Sequence, residues 1–116
     1  ASTSFAPLNH KGDKEGLKFE NGQVKMPEGF AAAYKLYAEN GWNGLTSPEE
    51  FGGQNMPFAV AMAAQEMFQS ANLSLALCTL LNQGAIELLT EHGTDQQKKK
   101  YLPKMINGVL LLVLPF

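Results

Sequence analysis

The chain has 116 residues, 45% of them hydrophobic and 17% charged, with a formal net charge of −2 from 9 basic and 11 acidic groups. That size admits one domain, and the composition is that of a globular chain, not of a disordered or fibrous one. All the basic residues are lysine, and a weakly acidic chain without a guanidinium fork is a poor reader of nucleic acid or phosphate.

Residues 1–26 form a polar leader. Within it Leu17 and Phe19 alternate with charges, as do Val24 and Met26, on either side of Asn21-Gly22. Both turn residues tolerate φ > 0, which predicts a type I′ turn in a small β-hairpin or an extended flap. Residues 27–108 then read as a helical domain. Pro27 stands at the first turn of a helix that runs to about Asn40, where Gly41 can take the left-handed cap. Phe30, Tyr34, Tyr37 and Ala38 are its predicted buried stripe. Ser47-Pro48-Glu49-Glu50 has the form of a capping box and starts one helical turn, which Gly52-Gly53 ends. A helix from about Pro57 to Ser70 is apolar nearly all round, which predicts burial. The next, from about Asn72 to Glu91, begins in the same way and becomes amphipathic before Gly93 ends it. Thr94-Asp95-Gln96-Gln97 is a second capping box; it opens a helix that Pro103 is expected to break or restart and Gly108 to close. Residues 109–116 are an apolar tail, a strand or the last piece of a core. The fold class is therefore all-α, a bundle of about four to five helices with a small N-terminal hairpin or extended leader.

Few residues offer chemistry. One cysteine and two histidines cannot make an internal disulfide or a closed zinc site. Cys78 lies among leucines and reads as an inert core thiol; the lone thiol fits a reducing compartment, and a cytoplasmic location is expected. The N-terminus lacks the basic region and apolar stretch of a signal peptide. No apolar run reaches the ~20 residues of a bilayer span, and no transmembrane helix is expected. His92 at a helix end reads as a partner of the helix dipole, and His10 as a solvated leader residue. Glu49 and Glu50 are adjacent, so they point apart and make a poor acid–base pair. Lys98, Lys99 and Lys100 are a solvated charge run. Asn82 and Gln83 sit mid-helix between Leu81 and Gly84, so at least one amide is expected to meet a partner helix or a cavity. No metal, catalytic or cofactor-binding set emerges from these residues.

The strings themselves carry a resemblance. Gly41-Trp42-Asn43-Gly44-Leu45, followed by Pro48-Glu49-Glu50-Phe51-Gly52-Gly53-Gln54, resembles the Gly-Trp-x-Gly-Leu…Pro-Glu-Glu-(Tyr/Phe)-Gly-Gly-x-Gly segment of the acyl-CoA dehydrogenase N-terminal domain. Gln83-Gly84-Ala85-Ile86 stands where that family has a small-residue helix segment, and the stretch from His92-Gly93-Thr94 to Tyr101-Leu102-Pro103 is similar to its Gly-(Ser/Thr/Asn)-x-x-Gln…Tyr-Leu-Pro stretch. The match runs in order from about Phe5 to Gly108. The leader, with Ala6-Pro7-Leu8-Asn9 and Glu20-Asn21-Gly22, looks like the subgroup that includes the methylthiopropionyl-CoA dehydrogenases.

The resemblance implies one domain of an FAD-dependent enzyme that oxidises an acyl-CoA to the trans-2-enoyl-CoA. In that family a carboxylate removes the α-proton while hydride leaves the β-carbon for the flavin. The flavin-binding domain and the C-terminal helical domain follow this segment and carry most flavin contacts and the catalytic glutamate. No catalytic or cofactor-binding residue therefore carries over to this chain, which is expected to bind no FAD and to be inactive alone. Its implied role is a wall of the acyl pocket. By spacing from His92-Gly93 the lining positions fall near Ala76, Leu80 and Gly84, which share one helix face. Ordinary core packing produces the same spacing. After Gly108 the family has Trp and then Thr-Gly-Thr, whereas this chain turns abruptly apolar, as a reading-frame change or a divergent end would make it. The tail then reads as the start of a missing flavin-binding domain. Implied partners are acyl-CoA and the flavin domains. A different class of function, a helical interaction or oligomerisation module, would use the same apolar surfaces to form a homo-oligomer.

Overall fold

In the computed structural model, which describes residues 1–111, the polar leader contains a helix. α1 spans Ala6–Glu15 and buries none of its residues, so no apolar period marks it in the sequence. Local features hold it. Pro7 lies in the first turn, where its missing N–H costs nothing. Lys11 and Glu15 pair at 3.7 Å, and Lys11 reaches Glu28 at 2.7 Å on the far side of the hairpin. That hydrogen bond raises the Lys11 ammonium and lowers the Glu28 carboxyl from their ordinary pKa values. Gly12 lets α1 lie close on the next helix: a Cβ there would stand 2.6 Å from Phe30 Cζ.

The hairpin forms as its turn requires. β1 (Lys18–Glu20) and β2 (Gln23–Lys25) pair antiparallel with Phe19 opposite Val24. Asn21 and Gly22 take φ of 53° and 76°, the signs of a type I′ turn. All six strand residues are exposed.

α2 runs Phe30–Glu39. Pro27 does not open it, contrary to the sequence reading. Gly29 sits in between at φ 94°, a left-handed conformation that cannot belong to a right-handed helix. Gly41 takes the expected left-handed cap at φ 75°. Two short 3-10 turns follow, Trp42–Gly44 and Glu49–Phe51. The capping box read at Ser47 does not form: Pro48 stands at the cap and no side chain bonds to the turn.

α3 (Phe58–Ala71) and α4 (Leu73–His92) are joined by Asn72 alone. Asn72 is fully buried. Its Oδ1 accepts from Leu75 N at 3.1 Å and Ser74 Oγ at 2.8 Å, and its Nδ2 donates to the Phe5 carbonyl at 3.3 Å. One side chain thus caps α4 and fixes the segment leading into α1. α5 spans Asp95–Ile106 and opens on the Thr94–Gln97 capping box, with both of its reciprocal bonds made. Pro103 lies inside α5 and does not break it. Burial of Leu102, Met105 and Ile106 on either side outweighs the missing backbone bond, since tertiary packing routinely overrides propensity.

Two cores result. Phe5, Phe30, Tyr37, Phe68 and Leu75 form the first, in which Phe68 meets Phe5 and Tyr37 at ring-centroid distances of 4.9 Å and Trp42 at 5.2 Å. Ile86, Leu102, Met105 and Ile106 form the second, between α4 and α5. Asn82 bridges the same two helices, its Nδ2 donating to the Met105 carbonyl at 3.1 Å, which is the helix–helix bond expected of it. Leu110 packs on the second core; the apolar tail read at 109–116 lies outside the described residues from position 112 onward.

The burial predicted for α3 is corrected. Only Ala61, Ala64, Gln65 and Phe68 are buried on it, while Phe58, Val60, Met62 and Met67 are exposed. The first half of α4 behaves similarly, with Leu73, Leu77, Leu80 and Leu81 exposed and Leu75 and Ala76 buried. Cys78 is exposed too, and not a core thiol. Among the described residues α4 is long and apolar enough to cross a membrane by length and composition. Its buried Thr79 and Asn82 and its packing between α3 and α5 are those of a bundle's central helix.

Candidate functional site

Between α3, α4 and the loop of residues 41–57 lies a cleft of about 440 Å³. From α4 come Leu80, Gln83, Gly84 and Glu87, spaced by three and four residues along one face. α3 presents Ala61, Met62, Gln65 and Gln69, and the loop presents Asn43 and Ser47. At Gly84 no heavy atom beyond its chain neighbours and the adjoining backbone of α4 lies within 4 Å of where a Cβ would stand, so the cleft is open there. Gln65 is only 6% exposed. Its amide nitrogen and oxygen are both shut off from solvent and have no hydrogen-bond partner among the described residues. The Asn43 amide is closed off and unpartnered by the same geometry. It still lies near enough to the Tyr34 hydroxyl to oppose part of the rise in pKa that burial gives that group. The Tyr34 hydroxyl itself donates to the Gly108 carbonyl at 3.0 Å.

This lining can bind but holds no evident reactive pair. Its charged members are Glu87 and Glu91, with no lysine, histidine or cysteine among them. His10, His92, Glu49 and Glu50 are all exposed and lie apart from it. No group of three or more His, Cys, Asp or Glu that could hold a metal occurs among the described residues.

Comparison with known proteins identifies the scaffold. A family model described as the acyl-CoA dehydrogenase N-terminal domain matches residues 4–109. The chain belongs to the acyl-CoA dehydrogenase family. It is 47% identical over 104 residues to a 3-methylmercaptopropionyl-CoA dehydrogenase of Ruegeria pomeroyi, a match covering 90% of this chain and 18% of the relative. To a butyryl-CoA dehydrogenase of Syntrophomonas wolfei it is 30% identical over 107 residues, covering 90% of this chain and 17% of that one. A mitochondrial isovaleryl-CoA dehydrogenase of Arabidopsis thaliana is 38% identical over 76 residues, which is 65% of this chain and 19% of the relative. The chain thus spans less than a fifth of the length of these acyl-CoA dehydrogenases.

Within this acyl-CoA dehydrogenase domain the three positions expected at a pocket wall separate. Leu80 and Gly84 line the cleft. Ala76 is fully buried in the first core, beside Phe68 and Leu75, and lies behind the cleft instead of on it. Among the lining residues that the sequence reading did not offer as site residues are Gln65 and Asn43. Gln65 carried a signal: it falls four residues after Ala61 and three before Phe68, on the stripe α3 buries. Asn43 sits inside the glycine-rich turn, where a loop residue gives no such cue.

Acyl-CoA dehydrogenases are FAD-dependent, and the cleft does not fit that cofactor. Both of its charged lining residues are glutamates, so a diphosphate placed here would meet like charge with no cation to offset it.

Proposed function

We propose that this domain forms one wall of the acyl-chain pocket in a longer FAD-dependent enzyme that dehydrogenates an acyl-CoA thioester between its α and β carbons. The observation that carries this reading is the cleft itself. Two of three positions that the family spacing selects, Leu80 and Gly84, open on it, and Gly84 leaves room beside it. The domain's own task is positional. It holds the acyl chain so that its α and β carbons present one geometry to groups supplied by the rest of the enzyme, which removes orientational freedom from the reaction. Leu80 limits the depth of the chain and Gly84 admits it. A cytoplasmic location accords with the exposed thiol of Cys78.

A second reading, a helical interaction or oligomerisation module, is favoured by one feature. Phe58 and Met67 on α3 and Leu73 and Leu88 on α4 are each more than half exposed, an apolar display that a free chain would bury against a second copy. In the first reading the flavin-carrying segments cover this surface.

The two are separated by exchanging the matching segment of the Ruegeria pomeroyi relative for residues 4–109 of this chain. The hybrid is expected to retain flavin and to oxidise acyl-CoAs with an artificial electron acceptor. The 116-residue chain alone is expected to bind no FAD and to oxidise none. A folded hybrid without flavin or turnover, or a flavin-loaded free chain, overturns the first reading. A free chain that stays monomeric at high concentration in size-exclusion light scattering overturns the second.

A further inference from the structure

The hairpin presents an apolar face that stays open among the described residues. Its register sets Phe19 opposite Val24 and Lys18 opposite Lys25. Leu17 and Met26 continue the alternation at its base, so these two share one face with Phe19 and Val24, while Lys18, Glu20, Gln23 and Lys25 share the other. The four apolar side chains are half to three-quarters exposed. The polar face pairs its own charges, Lys25 bonding Glu20 at 2.5 Å. The arm is also held in place. Lys11 of α1 donates to Glu28, just past the hairpin, at 2.7 Å, and Glu28 N donates to Glu15 Oε2 at 3.3 Å. The far end of the hairpin is thus tied back to the helix that precedes it. A two-stranded ribbon without a further layer is marginal in water, and an antiparallel pair with one apolar and one polar face is made to pack on its apolar side.

The size of the face indicates what covers it. At these exposures the four side chains offer roughly 450 Å², as much as the largest patch on a typical monomer. Two copies stacked on this face would bury about 900 Å² in all, short of the ~1,200 Å² of a stable interface. A free partner that met this face alone would fall short in the same way. A surface on the same polypeptide does not, because tethering supplies an effective concentration in the millimolar range. The chain spans less than a fifth of the length of its relatives, so a longer enzyme of that size has ample chain to supply one. We infer that the hairpin is an intramolecular clamp: the face of Leu17, Phe19, Val24 and Met26 docks on an apolar patch of the same longer enzyme, outside residues 1–116, and fastens this domain to the rest. This rests on the chain being one domain of that enzyme, and not on which residues line its acyl pocket.

The test places the photoreactive residue p-benzoylphenylalanine at position 19 of the hybrid enzyme. Irradiation is expected to join it to a residue of the same polypeptide outside the transplanted segment, so the denatured protein keeps the mass of one chain and peptide mass spectrometry finds the cross-link. A species of twice that mass, which marks a second copy, overturns the inference. So does a cross-link confined to the segment, or none. The variant carrying Phe19→Thr and Val24→Thr gives the energetic arm, since threonine keeps the preference for a strand. In the 116-residue chain Tm is expected to move by less than about 1 °C, because both side chains are exposed there. In the hybrid Tm is expected to fall by about 3 °C or more, because there they are covered. Equal shifts in the two proteins overturn the inference while leaving the acyl-wall reading intact. An unsubstituted hybrid that folds but holds no flavin and oxidises no acyl-CoA instead overturns the reading of the chain as an enzyme domain, and the inference with it.

Discussion

Replacing Gly53 by alanine is expected to cost about 3 kcal/mol or more and to leave much of the chain unfolded at 37 °C. A Cβ at this position would stand 2.0 Å from the Ser47 carbonyl oxygen and 2.4 Å from its carbon. Those are backbone atoms, and they cannot turn aside as a side chain would. Nor can the loop relax easily. The same Ser47 oxygen accepts from Asn55 N at 3.0 Å, Gly53 N donates to the Pro48 carbonyl at 3.0 Å, and Met56 N donates to the Leu45 carbonyl at 2.7 Å. Leu45 and Ser47 are themselves buried, so a shift would break packing as well as hydrogen bonds. The neighbouring Gly52 provides the control. It needs a left-handed φ of 92° but has nothing within 4 Å of a Cβ, so Gly52→Ala costs only the conformational strain, about 1 kcal/mol. Urea unfolding followed by circular dichroism checks both. Equal losses at the two glycines would contradict the steric account of Gly53.

The second large effect is on substrate length. Gly84→Leu places a side chain in the open part of the cleft. In the 116-residue chain it is expected to be neutral or to stabilise by up to about 1 kcal/mol, because leucine is the better helix former and nothing stands in its way. In the hybrid enzyme it is expected to shorten the longest acyl chain accepted by about three carbons, roughly the reach of the added side chain. At that length kcat/KM falls about a hundredfold, since each displaced methylene is worth a large part of that discrimination. Assays over a series of straight-chain acyl-CoAs read the effect directly. A length profile that does not move would place the acyl chain elsewhere.

Much of this molecule was legible in its residues. The Asn21-Gly22 turn, the Thr94–Gln97 box and the Gly41 cap all formed where the residues required them, because each depends on local chemistry alone. The inter-helix bond of Asn82 was legible for a related reason: a mid-helix amide among leucines has to meet a partner. Two local readings failed, the Ser47 capping box and the helix start at Pro27; the other failures depended on distant packing. α1 has no buried face to give a period, and it is set by Pro7, the Lys11 ion pairs and the anchor of Phe5 ahead of it. Pro103 looked like a stop because only its own backbone bond was counted, while its buried neighbours hold the helix. Phe58, Met62, Met67 and Leu81 were read as buried because periodicity reports apolar faces and not what covers them. Of the cleft, Leu80 and Gly84 followed from the family spacing. Ala76 shares their helix face but lies deeper, where α3 and the Phe5 cluster close over it.

The most direct test of the acyl wall is photolabelling of the hybrid enzyme with an acyl-CoA whose chain ends in a diazirine. Irradiation followed by peptide mass spectrometry should place the label on this domain within residues 80–84 of α4, with any further label on facing residues of α3 such as Met62 or Gln65. Label that falls on other parts of this domain, or nowhere on it while the hybrid still oxidises the probe, would contradict the assignment of the cleft to the acyl chain.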